Sequence, residues 1–151
     1  MKVLIILGSE SDLPNIEATK KLLSDFKITS DVIVASAHRK PKQVMKIAAT
    51  AESKYDLIIA AAGMAAHLPG VVASHTTLPV IGVPLESKGL AGFDALYSIV
   101  QMPPGVPVAT VAIGGAKNAA ILAAQILSLK YPKLRVTLKA LKHRMEKGVK
   151  I

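Results

Sequence analysis

Short apolar runs of strand length alternate with helical segments along the whole chain, and this alternation limits the folds open to it. The runs predict five β-strands, at residues 3–7, 31–35, 57–62, 80–83 and 108–113. The first run is apolar at every position, which is typical of a strand covered on both faces. Strands that alternate with helices in this way favour a parallel sheet with a helical layer on each face.

Between the strands, apolar residues recur at helical spacing. This spacing predicts helices at residues 14–26, 41–54, 119–129 and 134–145. The segment 119–129 is apolar on nearly every side, so we expect it to be buried. Five strands with these helices predict a flavodoxin-like, three-layer α/β/α sandwich whose parallel five-stranded sheet is followed by a C-terminal helix.

The length of 151 residues is typical of one domain, and the sequence has no internal repeat and no long linker. We therefore expect residues 1–151 to form a single domain. No stretch has the pattern of a signal peptide. The longest apolar run, residues 57–66, is well short of the ~20 residues that cross a bilayer. These features predict a soluble, cytoplasmic protein without a membrane partner.

The net charge of +9 is concentrated at the C-terminal end, where residues 128–151 contain eight Lys or Arg and one acid. The basic segment 132–151 has the charge of a segment that binds the phosphates of nucleic acid. Aromatic residues make up only 3% of the chain and Trp is absent, which is poor material for stacking on bases. We therefore favour a solvated helix face, or a face that meets an anionic patch on another subunit, and expect no nucleic-acid partner.

Several kinds of chemistry are excluded by missing residues or motifs. The chain has no Cys, which excludes disulfides, thiolate zinc sites and cysteine nucleophiles. The four His residues do not have metal-ligand spacing with carboxylates, so we expect no metal. The glycine patterns that bind dinucleotides or ATP are absent, as is the nucleophile-elbow motif of hydrolases. The sequence therefore indicates neither a metal nor a dinucleotide or ATP.

The loop after the first strand contains Gly8, Ser9, Ser11 and Asp12. Ligands of open parallel sheets bind beyond the carboxyl ends of the strands, which makes this loop a candidate site. Serine hydroxyls at the beginning of a helix favour phosphate, and Asp12 is suited to accept hydrogen bonds from ribose hydroxyls. The alternative is that Ser11 or Asp12 only caps the helix that follows.

The loop after the second strand contains Ser36, Ala37, His38 and Arg39. Arginine binds phosphate through two parallel hydrogen bonds, and serine adds a donor. Histidine is the side chain best suited to transfer a proton near neutral pH. The alternative for His38 is an exposed loop residue beside a helix N-terminus.

The loop after the third strand contains Gly63, Ala65, His67 and Leu68. Its small residues let a ligand approach the backbone. When His67 is considered alone, we interpret it as a structural residue that donates a hydrogen bond to a buried loop carbonyl rather than one that orients a ligand. Parallel topology brings the three loops to one edge of the sheet, where phosphate donors, a ribose acceptor and an acid/base group predict a site for a nucleoside monophosphate.

Several longer stretches of the chain carry a resemblance to a known family. They are residues 8–12 (GSESD), 36–41 (SAHRKP), 65–70 (AAHLPG), 78–84 (LPVIGVP), 97–103 (YSIVQMP) and 118–124 (NAAILAA). In these stretches, which span nearly the whole chain, the sequence resembles the N5-carboxyaminoimidazole ribonucleotide mutase family of bacterial and archaeal purine biosynthesis. The resemblance implies a flavodoxin-like fold, a homo-octamer, a small nucleotide substrate and no cofactor or metal.

The resemblance also implies roles for individual residues. His38 would be the catalytic acid and base, Asp12 would take the ribose hydroxyls, and Arg39 would lie at the phosphate. His67 would help to hold the carboxylate pocket, which residues 63–68 line. The substrate-binding residues that it implies are Gly8, Ser9, Ser11, Asp12, Ser36, Ala37, Arg39, Gly63, Ala65, His67 and Leu68.

The family moves a carboxylate from the exocyclic nitrogen of the imidazole to ring carbon C4, by decarboxylation, retention of CO2 and recarboxylation. Two alternatives stay open: a carboxylase that uses aminoimidazole ribonucleotide and CO2 directly, and a non-catalytic module that binds a phosphate ligand. The animal-type carboxylases typically differ at Arg39 and within residues 65–70, which favours the mutase. Met64 departs from the family, many members of which have a small residue there, and this side chain either narrows the pocket or packs behind it.

Overall fold

A computed structural model describes the whole chain, Met1–Ile151, and contains one sheet of five strands in the order β2-β1-β3-β4-β5. Every neighbouring pair of strands is parallel. The strands are β1 (Lys2–Leu7), β2 (Thr29–Val34), β3 (Leu57–Gly63), β4 (Val80–Leu85) and β5 (Ala109–Thr110). This sheet confirms the predicted α/β class and flavodoxin-like architecture.

Six α-helices cover the two faces of the sheet. They are α1 (Glu17–Asp25), α2 (Pro41–Thr50), α3 (Leu68–Ala73), α4 (Phe93–Val100), α5 (Ala116–Lys130) and α6 (Leu134–Glu146). Two short 3₁₀ helices, Glu10–Ile16 and Ala51–Ser53, complete the helical structure. None of these helices is both long and apolar enough to span a membrane.

The sheet has a separate hydrophobic core on each face, because successive side chains of a strand point in opposite directions. Val3, Ile5 and Leu7 of β1 pack with residues of α1, α5 and α6 in a cluster of 21 buried residues. Leu4 and Ile6 pack with residues of α2, α3 and α4 in a second cluster of 15 buried residues. The continuous apolar run of β1 therefore serves two cores, as its sequence predicts.

The predicted strand at residues 108–113 is longer than the strand that forms. Only Ala109 and Thr110 pair with β4, opposite Ile81 and Gly82. The Val111 N–H still donates to the Gly82 carbonyl over 3.2 Å, but the next residue of β4 that faces this segment is Pro84. Pro84 has no N–H to donate, so regular pairing does not continue.

Three helix predictions need correction. The segment 14–26 is not one α-helix, because the chain forms a 3₁₀ helix that contains Pro14 before α1 begins. Helix α5 is not buried on every side: its alanine-rich face packs against the sheet, and Leu129 is 76% exposed. Helices α3 and α4 are absent from the prediction, because each is short and lies in a segment that contains Gly and Pro.

All strands run in one direction, so the segments that follow β1, β2, β3 and β4 emerge at the same edge of the sheet. This edge carries the polar loops predicted as the site.

Candidate active site

A cleft of about 910 Å³ lies at the carboxyl ends of β1 to β4. Every residue that the sequence predicts for the site lines it: Gly8, Ser9, Ser11, Asp12, Ser36, Ala37, His38, Arg39, Gly63, Ala65, His67 and Leu68. The predicted convergence of the first three loops is therefore present in the structure.

The loop after β1 is held by a reciprocal pair of hydrogen bonds at the beginning of the 3₁₀ helix. Ser9 is the N-cap residue, and its Oγ accepts a hydrogen bond from the Ser11 backbone N–H over 3.4 Å and another from the Ser11 hydroxyl over 2.9 Å. The Ser9 backbone N–H donates to Oδ2 of Asp12 over 3.0 Å. The cap is thus Ser9, with Asp12 as its reciprocal partner, rather than Ser11 or Asp12 alone.

Asp12 keeps one carboxylate oxygen for a ligand, because only Oδ2 takes part in the loop's hydrogen bonds. Partial burial raises the pKa of Asp12, and the hydrogen bond from the Ser9 N–H opposes that increase. A half-buried carboxylate with a free oxygen is a suitable acceptor for hydroxyl groups.

The loop after β2 presents a guanidinium group to the cleft. Ser36 Oγ accepts a hydrogen bond from the Arg39 backbone N–H over 3.2 Å, which fixes the turn. Arg39 Nη2 lies 3.4 Å from the carbonyl oxygen of Gly8, so the side chain reaches across to the loop after β1. Arg39 forms no ion pair with a carboxylate, and most of its N–H donors are free for an anionic ligand.

The side chains of His38 and His67 meet in the cleft. His38 Nε2 lies 2.9 Å from His67 Nδ1, and the rings stand edge to face with their centroids 5.1 Å apart. One of these two nitrogens must donate a proton and the other accept it. His67 is exposed, and its Nδ1 contacts His38 Nε2 rather than the buried loop carbonyl that we expected.

His67 reaches this position because the chain turns tightly after β3. The backbone N–H groups of Ala66 and His67 each donate to the carbonyl two residues earlier, over 2.8 Å. Leu68 then begins α3 and is buried, which anchors the turn. Met64, in the same turn, lines the cleft and is 68% exposed, so it does not pack behind the pocket.

The loop after β4 forms a wall of the cleft that the sequence interpretation missed. Its lining residues are Leu85, Glu86, Ser87, Lys88, Gly89 and Leu90, together with Asp94 of α4. The Ser87 hydroxyl lies 3.2 Å from Asp94 Oδ1 and 3.3 Å from Oδ2, which ties the loop to the helix. The predicted strand at residues 80–83 could have indicated this wall. Ligands bind beyond the carboxyl ends of parallel strands, and that rule applies to the loop after the fourth strand as it does to the first three.

The remaining histidines and the basic C-terminal segment lie outside the cleft. His143 is exposed on α6, as predicted, with its Nδ1 3.4 Å from Glu146 Oε2, whereas His75 is half-buried rather than fully at the surface. No residue of the segment 132–151 lines the cleft.

Comparison with known proteins gives consistent matches over nearly the whole chain. The sequence model of the AIR carboxylase family matches residues 2–148. A Pyrococcus abyssi protein named N5-carboxyaminoimidazole ribonucleotide mutase is 55% identical over 147 residues, which are 97% of this chain and 84% of that protein. A Thermotoga maritima protein of the same name is 53% identical over 98% of this chain and 87% of its own length.

The fold has the same match among solved structures. The crystal structure of Treponema denticola PurE superposes on this chain with a TM-score of 0.89 at 31% identity. The superposed region is 97% of this chain and 92% of the Treponema chain. The similarity of the fold therefore extends over nearly the whole chain.

Proposed function

The chain belongs to the AIR carboxylase family and is an isomerase of its mutase type in purine biosynthesis, and we propose that its reaction takes place in the cleft at the carboxyl ends of β1 to β4. The observation that carries this placement is the contact of His38 Nε2 with His67 Nδ1 over 2.9 Å, in a cleft that the unpaired guanidinium of Arg39 also lines. The reaction converts N5-carboxyaminoimidazole ribonucleotide into its isomer with the carboxylate on ring carbon C4.

Arg39 and Ser36 supply donors for the substrate's phosphate, and the Ser11 hydroxyl joins them when it turns from Ser9 Oγ to the bound substrate. Arg39 has free N–H groups and lies between the loops after β1 and β2, where a phosphate reaches the hydroxyls of both loops. Asp12 Oδ1 accepts hydrogen bonds from the ribose hydroxyls. The absence of large side chains at Gly8, Ala37, Gly63 and Ala65 leaves room for the imidazole ring near the histidines.

His38 is the catalytic acid and then the catalytic base. The bond between the exocyclic nitrogen and the carboxylate carbon breaks, its electron pair stays on the nitrogen, and His38 donates a proton to that nitrogen. The ring carbon C4 then attacks the released CO2, and His38 removes the proton from C4. The atoms balance without a co-reactant, and His38 ends in the protonated form in which it began.

His67 is a positioning residue in this scheme. The contact between His67 Nδ1 and His38 Nε2, over 2.9 Å, restricts the rotation of the His38 side chain, which is otherwise exposed in a loop. Fixed orientation matters because the same ring must reach a nitrogen in one step and C4 in the next.

The test is to mix the purified protein with N5-carboxyaminoimidazole ribonucleotide, without ATP or added bicarbonate, and to follow the C4-carboxylated product. Conversion above that of the His38→Asn variant supports the proposal. Product formed only from aminoimidazole ribonucleotide and CO2 would instead identify a direct carboxylase. Binding of the nucleotide without either conversion would identify a binding module.

We also propose that residues 1–151 act as one domain and that the chain assembles as a homo-octamer in the cytoplasm. A single sheet with a core on each face supports the first point. Phe93, Tyr97 and Val100 of α4 are large, exposed and spaced along one helix face, which supports contacts between copies. Light scattering tests the assembly, since eight copies of a 15.8 kDa chain are readily distinguished from one. A monomeric mass would refute it.

A further inference from the structure

Met64, the first residue after β3, has a backbone φ of 56°. Side chains other than glycine crowd the backbone in this left-handed region. Six other residues have a positive φ: four are glycines, Gly92, Gly105, Gly114 and Gly148, and two are Lys27 and Ala91. Met64 is the one non-glycine residue among these that lines the cleft, so its side chain is placed where it can contact a ligand.

Core packing does not account for Met64. Its side chain is 68% exposed, whereas the neighbouring Ala66 and Leu68 are 1% and 2% exposed and anchor the turn. The conformation therefore presents a large apolar side chain to the cleft, which it lines, without adding it to either hydrophobic core.

The walls of the cleft differ chemically. The loop after β4 forms one polar wall with Glu86 and Lys88. Ser9, Asp12, Ser36 and Arg39 make another side polar, and these groups suit the phosphate and the ribose. The segment 62–66 makes a further side apolar, and in it Met64 is the only side chain larger than a methyl group. Methionine is unbranched and has three rotatable bonds, so this side chain can adapt its position to a molecule that lies beneath it.

We infer that Met64 closes the apolar side of the cleft over the reacting atoms and retains the released CO2 until C4 attacks it. This inference rests on the proposed function, because only a reaction that frees CO2 between two steps needs such retention. CO2 is small and neutral, so the charged and hydroxyl groups of the polar sides hold it weakly. An apolar cover delays its escape and keeps water from replacing it.

The test uses N5-carboxyaminoimidazole ribonucleotide labelled with ¹³C in the carboxylate, in buffer that contains unlabelled bicarbonate. Mass spectrometry of the product then measures the fraction of label retained, with His38→Asn as the measure of uncatalysed loss. We expect Met64→Ala and Met64→Gly to increase label loss about tenfold, equivalent to about 1.4 kcal/mol. Free aminoimidazole ribonucleotide should accumulate in parallel.

Two further variants separate retention from general effects. Met64→Leu keeps the apolar bulk and should retain the label as the unaltered protein does. Met45→Ala removes an exposed methionine of α2 that does not line the cleft, so its label retention should also be unchanged. Thermal unfolding of Met64→Gly should occur at the same or a higher temperature, because glycine adopts a positive φ without crowding.

The outcomes distinguish this inference from the proposed function. If the unaltered protein converts the substrate and Met64→Ala and Met64→Gly retain the label fully, Met64 is not the barrier. A higher KM with full retention would likewise overturn the inference, since it would assign Met64 to substrate binding alone. If the unaltered protein converts no substrate, the proposed function itself fails.

Discussion

His38 Nε2 lies 2.9 Å from His67 Nδ1, although the two residues are 29 positions apart and follow different strands. β2 and β3 are not neighbours in the sheet, because β1 lies between them. The two loops therefore reach over the end of β1 to bring the rings together. This contact restricts the rotation of the His38 ring, which is the group that we propose as the catalytic acid and base.

Replacement of His38 by Asn should abolish most of the turnover and leave folding intact. General acid/base groups contribute about 10²- to 10⁴-fold to rate, and we expect kcat to fall within this range. His38 is exposed in a loop, so its loss removes no core packing. Steady-state kinetics with circular dichroism provide the measurement, and His143→Asn is the matched control outside the cleft. Turnover like that of the unaltered protein would exclude His38 as the acid and base.

Replacement of His67 by Ala should lower kcat more than it raises KM, because in the proposed mechanism the residue orients His38 and is not the proton donor itself. Loss of a hydrogen bond that involves a charged group costs about 1.5–3 kcal/mol. The measurement is the separate determination of kcat and KM. Partial recovery in His67→Asn, which keeps a polar group in place, would support the orienting role. An unchanged kcat in His67→Ala would show that the contact with His38 is dispensable.

Replacement of Arg39 by Ala should weaken substrate binding by about 1.5–3 kcal/mol, the cost of a lost hydrogen bond to a charged group. Lysine at this position should recover only part of the affinity, because it lacks the planar fork of the guanidinium. Calorimetric titration with the C4-carboxylated product measures the dissociation constant of the nucleotide. Lys40→Ala removes the adjacent exposed cation, which does not line the cleft, and should leave affinity unchanged. Equal effects at both positions would point to a general charge effect.

Asp56 should make folding stability depend on acid pH. Partial burial by itself raises the pKa of Asp56, but hydrogen bonds from the Lys130 Nζ, the Lys2 backbone N–H and the Tyr131 hydroxyl outweigh it and lower the value from 3.8 to about 2. The unfolded chain therefore binds the proton more tightly than the folded protein. The stability that Asp56 contributes is complete above about pH 4 and is lost as the pH falls toward 2.

The Asp56→Asn variant should thus lose up to about 2 kcal/mol of unfolding free energy at neutral pH and show a weaker decline on acidification. Urea unfolding at a series of pH values measures both effects. Asp25→Asn changes an exposed carboxylate that takes part in none of the ion pairs, and it should leave the pH dependence as it is. Parallel pH curves for Asp56→Asn and the unaltered protein would contradict the assignment.

The sequence predicts the strands well where the local pattern is unambiguous. The apolar run at residues 3–7 lies within β1, and the predicted first three loops line one cleft. Prediction fails where distant residues decide the outcome. β5 is shorter than its apolar pattern because Pro84 of the neighbouring strand cannot donate a hydrogen bond, and no local feature of residues 108–113 reveals this.

The chain by itself determines that a parallel α/β sheet forms and that Ser9, Asp12, His38 and Arg39 gather at one of its edges. Side-chain periodicity is local, and a helical crossover between strands returns the chain to the same end of the sheet. Only the tertiary structure decides that His67 faces His38 and that the loop after β4 completes the cleft. These features depend on the strand order and on contacts between segments far apart in sequence. The positive φ of Met64 is likewise imposed by the turn that joins β3 to α3, which leaves the methionine exposed at the cleft.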